Sequence, residues 1–133
     1  MGEKLIDNTI LLKLLSVPAY KDKFLTVFGD IFQTFTTEYM TSILDPLIEQ
    51  ITPEMQLHWA RWGELNDTFV ISEVPTTADG AYRYWEKRIA RLKNTLKKRP
   101  NLLWGYAKEA FNLNDTQMET YFGPRPKMPD DAV

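Results

Sequence analysis

The chain has 133 residues, of which 44% are hydrophobic and 26% charged, and its formal net charge at pH 7 is −2. These values are typical of a globular chain with one core, and they exclude a disordered or fibrous protein. Cysteine is absent, which excludes disulfides, thiolate metal sites and a cysteine nucleophile. No apolar run approaches the roughly 18 residues of a bilayer-spanning helix, so we expect no membrane span.

The first sixty residues carry apolar side chains at helical spacing, which predicts four helices. Asp7-Asn8-Thr9 supplies an N-cap for a short first helix that stops before Pro18, where a second begins. A third begins at Thr36-Thr37-Glu38, and Pro46 predicts a kink near Ser42. Thr52-Pro53-Glu54 opens a fourth, closed by Gly63. The predicted buried faces are Tyr20, Phe24, Val27, Phe28, Ile31 and Phe35 in the second helix, and Met40, Ile43, Leu44, Leu47 and Ile51 in the third.

The second half predicts two more helices after a long connection. Helical periodicity is missing from 63 to 80, where turn residues favour a loop over a short strand. An apolar seam from Tyr82 to Leu96 predicts a helix ending at Arg99-Pro100, and a last helix carries Leu102 to Phe111. We therefore expect an all-α fold, an irregular bundle of five to seven short helices with one long loop around residues 63–80. Residues 1–122 are expected to form a single helical domain, and the proline-rich residues 123–133 a flexible tail.

The residues that could carry chemistry are few and scattered. His58 is the single histidine, which excludes a catalytic triad or a multi-histidine metal site, and a hydrogen-bonded structural role is favoured over a functional one. No carboxylate pair suits acid–base catalysis, and the glycines stand singly, without the spacing of a phosphate-binding loop. We predict no catalytic, cofactor-binding or metal-binding residue. The four tryptophans are expected to anchor the core rather than line a ligand site: Trp59, Trp62, Trp85 and Trp104.

Charge is concentrated in one predicted helix. Residues 83–99 carry a net charge of +7, and the rest of the chain carries −9. One interpretation is a solvated face whose positive charge complements the helix dipole. The other is a docking surface for an acidic partner through Arg83, Lys87, Arg88 and Arg91. Nucleic acid is not expected as a partner, because the whole chain is slightly acidic and no helix-turn-helix or stacking motif accompanies this helix.

Three segments resemble the C-terminal half of the CotH (spore coat protein H) kinase-like family. Residues 11–24, LLKLLSVPAYKDKF, are similar to the family's leucine pair, small spacer and F/Y-(R/K)-x-x-F stretch. Residues 51–62, ITPEMQLHWARW, resemble its Pro-Glu-Met…His…Arg-Trp signature. Trp85 with Arg99-Pro100 is similar to a helix that carries a tryptophan and ends in Arg-Pro.

The resemblance implies a bacterial protein of the spore coat or cell surface, with a kinase-like core that uses ATP and Mg²⁺ to phosphorylate protein serines. The residues of that core are expected before Met1, so we carry over no catalytic residue. Pro53, Met55, His58, Arg61 and Trp62 are carried over as a structural signature, with Met, His and Trp facing inward and Arg61 paired with a carboxylate.

Whether this segment is an enzyme by itself stays open, although we expect it to be inactive. The expected partners are the upstream kinase-like domain, coat proteins or an acidic protein. A dimer of the isolated segment is a further alternative. The second functional reading is a stand-alone helical interaction module that docks an acidic partner through the basic helix 83–99.

Overall fold

A computed structural model describes residues 8–62 and 77–130. Helices make up 84% of these residues and none of them forms a strand, which confirms the predicted all-α fold. The helices are α1 (Thr9–Leu15), α2 (Pro18–Thr34), α3 (Thr37–Trp62), α4 (Ala78–Phe111) and α5 (Asp115–Phe122). In the described ranges, no helix has the combination of length and hydropathy needed to cross a membrane.

The first two helices begin where the sequence predicts. The Asn8 side chain accepts a hydrogen bond from the Leu11 amide at 3.0 Å, which caps α1. Pro18 occupies the first turn of α2, where its missing N–H costs nothing. Local capping chemistry therefore fixes both starts.

Prolines do not end the two long helices, so the predicted breaks at Thr52 and Arg99 are wrong. α3 continues through Pro46 and Pro53 for 26 residues, and α4 continues through Pro100 for 34 residues. An interior proline removes one hydrogen bond and crowds the carbonyl four residues back, which weakens a helix without having to end it. Before Pro53, the Thr52 hydroxyl donates to the Ile48 carbonyl at 2.6 Å and so adds a bond beside the site of the loss.

The predicted buried face of α2 is partly wrong. Leu25 and Gly29 are its buried residues, and Phe24, Phe28 and Phe32 pack against the core. The buried face differs from the predicted one because Gly29 allows α5 to approach closely, so Gly29 is part of the contact surface. Four residues of the predicted face are exposed instead: Tyr20, Val27, Ile31 and Phe35.

α5 was not predicted, and it completes the core beside α2. Its N-terminus is a capping box in which Asn114 accepts from the Gln117 amide at 2.8 Å and the Gln117 side chain accepts from the Asn114 amide at 3.0 Å. Met118 and Phe122 of α5 are buried. The Phe122 ring meets Phe28 and Phe32 edge-on, with centroids 5.3 and 5.6 Å away.

The chain divides into two compact units, which we call the terminal unit (Met1–Tyr39 with Lys97–Val133) and the central unit (Met40–Leu96). Helices α1, α2 and α5 and the end of α4 build the terminal unit. Its buried cluster is Leu25, Trp104, Ala107, Phe111, Leu113, Met118 and Phe122. In the central unit Ala81 is fully buried, and an ion pair of 2.7 Å joins Lys93 of α4 to Asp45 of α3.

The chain that follows α5 makes hydrogen bonds to α4. Trp104 Nε1 donates to the Gly123 carbonyl at 3.1 Å, and Asn101 Nδ2 donates to the Pro126 carbonyl at 2.6 Å. The loop prediction falls mostly on residues 63–76, which lie outside the described residues. The single domain over 1–122 and the flexible tail over 123–133 stay predictions.

Candidate functional site

The signature residues of the fourth predicted helix lie in the last turns of α3, in the central unit. Met55 is half-buried, while Pro53, His58, Arg61 and Trp62 are exposed. The Arg61 guanidinium lies over the Trp62 ring, 4.9 Å from its centroid. His58 and Trp62 are thus exposed rather than turned into a core, while a carboxylate partner for Arg61 stays a prediction. These side chains cover one another at the helix surface.

His58 and Trp59 form the one ring pair described in this segment. Their centroids are 4.9 Å apart and the rings are nearly perpendicular, so the imidazole edge meets the indole. The Trp59 indole N–H is buried without an acceptor among the described residues. A buried donor without an acceptor is costly, so Trp59, which neighbours the signature residue His58, is the residue of this segment whose polar group lacks a partner among the described residues.

The four tryptophans differ in burial, so they are not a uniform set of core anchors. Trp104 is buried in the terminal unit, and Lys108 and Arg125 lie near its ring, 5.9 and 5.4 Å from the centroid. Trp59 and Trp85 are half-buried, and Trp62 is 44% exposed. Helical spacing alone could not separate these cases, because it fixes a face and not what covers that face.

The four predicted docking residues lie on α4 in the central unit, and they are in different states. Arg83 is paired with Asp79 at 2.6 Å, one turn earlier. The Arg88 guanidinium lies 5.5 Å from the centroid of the Tyr84 ring. Lys87, Arg88 and Arg91 have no carboxylate partner among the described residues. We call these three exposed side chains the basic face.

The basic face borders a shallow concavity of about 320 Å³. Arg88, Arg91, Leu92 and Thr95 line it. The two guanidinium groups suit carboxylate or phosphate oxygens, since arginine presents a planar fork of donors to such groups, whereas the Thr95 hydroxyl already donates to the Arg91 carbonyl at 2.9 Å. The arrangement can bind an anion, and its residues include no nucleophile or general base.

The family's F/Y-(R/K)-x-x-F stretch has a clear role in the terminal unit. Lys21 Nζ donates to the carbonyl of Phe111, the last residue of α4, at 2.8 Å. Asp22 accepts a 2.5 Å hydrogen bond from the Tyr121 hydroxyl, which raises the pKa of Tyr121. The Phe24 ring packs against Phe111, with centroids 5.7 Å apart. Lys21, Asp22 and Phe24 thus hold α2 on α4 and α5.

A cleft of about 670 Å³ in the terminal unit was missed by sequence reasoning. Phe32 and Phe122 form its apolar part, and Pro124, Pro126 and Lys127 line it from the chain after α5. Those prolines gave the signal for a tail. Asn101 holds the Pro126 carbonyl, 25 residues later, and Trp104 holds the Gly123 carbonyl, 19 residues later. Local sequence pattern does not report such distant contacts.

Over residues 8–62 and 77–130, no three carboxylate or histidine side chains lie close enough together to hold a metal ion. Mg²⁺ at a nucleotide is usually held by one or two carboxylates together with the phosphates, so the ATP and Mg²⁺ implied by the resemblance stay predictions.

A model of the family described as CotH kinase protein matches residues 1–103, more than three quarters of the chain. No curated protein and no solved structure matches. The matched range contains Lys21, Asp22 and Phe24 of α2, the signature at the end of α3 and the basic face. On that match, the chain belongs to the CotH kinase protein family.

Proposed function

We propose that this chain is the C-terminal helical portion of a CotH-like bacterial protein kinase and acts there as a non-catalytic scaffold. The kinase would use ATP and Mg²⁺ to phosphorylate protein serines, in assembly of the spore coat or the cell surface. Its nucleotide-binding domain would be encoded ahead of residue 1. The helices would complete or flank that lobe and shape its substrate side.

The observation that carries this proposal is a set of three contacts that α2 makes within the terminal unit. Lys21 contacts the end of α4, Asp22 contacts Tyr121, and Phe24 packs on Phe111. A lysine whose ammonium group donates to the end of a helix stabilises the fold through that contact. This pattern supports a scaffold, because Lys21 and Phe24, the recognisable residues of the family's first stretch, serve packing.

A phosphotransfer assay tests the proposal. The 133-residue chain, incubated with ATP labelled at the γ-phosphate and with Mg²⁺, should transfer no label to a serine-rich protein and should not bind the nucleotide at micromolar concentration. The longer gene product should transfer label in the same assay. Robust transfer by the 133-residue chain would contradict the scaffold role, as would a gene without a nucleotide-binding domain ahead of residue 1.

The second candidate is a helical module that docks an acidic partner through the basic face. The specific observation in its favour is that Lys87, Arg88 and Arg91 have no carboxylate partner among the described residues, although the chain outside 83–99 carries −9. Neighbouring cations without counter-charges repel one another, and an acidic ligand removes that repulsion.

Charge reversal separates this candidate from a merely solvated helix. Arg88→Glu with Arg91→Glu should abolish retention on an immobilised poly-glutamate ligand, and retention of the wild type should fall as salt rises. Lys13→Glu with Lys127→Glu changes the net charge by the same amount elsewhere and should leave retention unchanged. Equal loss in both double variants would show that net charge, and not the basic face, is recognised.

A further inference from the structure

One face of α2 is apolar and exposed. Tyr20 is 38% exposed, and Val27, Ile31 and Phe35 are each about half exposed. They follow one another at intervals of seven, four and four residues, so they form a single stripe along the helix and its C-cap. We call these four residues the α2 stripe. The opposite face of α2 carries Leu25 and Gly29 into the core, so the stripe is not needed for that packing.

The two aromatic residues of the α2 stripe lie at nearly equal distances on either side of Val27. Tyr20 lies seven residues before Val27, and Phe35 lies eight residues after it. At about 1.5 Å per residue, the two aromatic side chains stand nearly the same distance from Val27 in opposite directions. Two copies of α2, laid antiparallel with a twofold axis at Val27, therefore place Tyr20 of each copy beside Phe35 of the other.

Two charges of opposite sign beside the stripe also lie at similar distances on either side of Val27. Lys23 lies four residues before Val27 and Asp30 three residues after it, on one flank of the helix and both exposed. In an antiparallel pair, Lys23 of each copy faces Asp30 of the other, which makes two equivalent ion pairs. In a parallel pair, the two copies of this flank lie on opposite sides of the seam, so Lys23 and Asp30 of different copies are not brought together. The charges thus favour the antiparallel arrangement.

We propose that the α2 stripe is a self-association surface, on which a second copy of this chain packs antiparallel with Val27 at the twofold axis. The interface is isologous, so every contact occurs twice and the assembly closes at two chains. The contact area is small, with four apolar residues from each copy. We expect a dissociation constant on the order of 10 μM, as for transient complexes at the low end of interface size. The inference does not depend on the scaffold role.

Sedimentation velocity over a concentration series tests the proposal. The wild type should shift from monomer to dimer with rising concentration. Val27→Lys should remain monomeric up to about twenty times the expected dissociation constant, while its circular dichroism spectrum stays that of the wild type, since the side chain is exposed. Leu57→Lys, at a residue 67% exposed on α3, is the matched control and should dimerise normally.

A charge-swap experiment tests whether a second copy of the chain binds the α2 stripe and whether it packs antiparallel. Lys23→Asp alone and Asp30→Lys alone should each weaken self-association at least about tenfold, because like charges then face each other. The double variant Lys23→Asp with Asp30→Lys should restore it, and a mixture of the two single variants should form a heterodimer. A wild type that stays monomeric at about twenty times the expected dissociation constant overturns the proposal. Failure of the double variant to restore association also overturns the proposal, because the wild-type dimer would then form through a different face of the chain.

Discussion

Gly29 lies at the crossing of α2 with α5. A Cβ atom at this position would overlap the Tyr121 carbonyl oxygen and lie 2.8 Å from its carbon. Gln33, one turn later, donates to the same carbonyl at 3.2 Å. We predict that Gly29→Ala lowers the free energy of unfolding by about 1–2 kcal/mol, because an overpacking cost near the upper end of about 1–3 kcal/mol exceeds the roughly 1 kcal/mol that alanine gains in a helix. A urea titration followed by circular dichroism measures the change.

Gly105 gives the matched control. It also lies inside a helix, α4, but a Cβ there meets only the Arg125 guanidinium at 3.5 Å, an ordinary contact with the end of a flexible side chain. Gly105→Ala should leave the free energy of unfolding unchanged or raise it by up to about 1 kcal/mol. Equal destabilisation by both substitutions would mean that helical glycines matter here for another reason than the α2–α5 approach.

Tyr121 makes the stability of the terminal unit depend on alkaline pH. Its hydroxyl donates to the Asp22 carboxylate, and this bond, with partial desolvation and the carboxylate's charge, raises the pKa of Tyr121 above 10.0. Because the folded-state pKa is the higher one, the stabilisation is complete below about pH 10 and is lost as pH rises through the folded pKa. Unfolding free energies measured from roughly pH 8 to 11 should fall less steeply for Tyr121→Phe than for the wild type. Tyr106→Phe, at an exposed residue of α4, should retain the wild-type slope.

At the level of elements, Lys21 fastens the C-terminus of α4. Its ammonium group bonds the last carbonyl of the helix, where the dipole is negative and the carbonyls lack partners within the helix. Lys21→Met keeps the aliphatic stem and removes this bond, so we expect a loss of about 1–2 kcal/mol in unfolding free energy. The measurement is thermal unfolding in low salt. Lys87→Met, on the exposed face of α4, should change stability little; a comparable loss there would point to a general effect of lost positive charge.

Some element boundaries could be predicted from sequence and others could not, for a physical reason. The Asn8 cap and the Pro18 start are local, since the deciding hydrogen bond or missing donor lies within four residues. α3 continues through Pro53 and α4 through Pro100, because the loss of one hydrogen bond at a proline does not by itself end a helix. The local sequence shows this loss but not the other interactions that keep the helix intact. The capping box of Asn114 and Gln117 was a readable signal for α5, but too few apolar residues follow it to form a visible stripe.

The candidate site was predictable in composition but less so in arrangement. Clustered charge located the basic helix, yet only the structure separates Arg83, paired with Asp79, from Arg91. The apolar pattern of α2 predicted the helix but not its buried side, because the helix has two apolar faces. The face that contains Gly29 is the buried one. The contact of Lys21 with Phe111 spans 90 residues, beyond any local pattern.

For the whole molecule, the family match and the folded core do not coincide. The match ends at residue 103, whereas six of the seven residues in the buried cluster of the terminal unit come later. Leu25 is the one member from the matched range. Residues 104–122 therefore supply most of that core, and the boundary of sequence similarity is a poor guide to where the fold can be cut.

A chain ending at Asn112 tests this dependence, because it lacks the buried residues Leu113, Met118 and Phe122. Removing a large core side chain costs about 2–5 kcal/mol, so the combined loss should exceed the stability of a small domain and abolish cooperative unfolding. A synthetic peptide of residues 113–130, added in excess, should restore the transition by refilling the core. The same peptide with Met118→Asp and Phe122→Asp should not, since buried carboxylates without partners oppose docking. Full cooperativity in the shortened chain without peptide would place the stabilising core elsewhere.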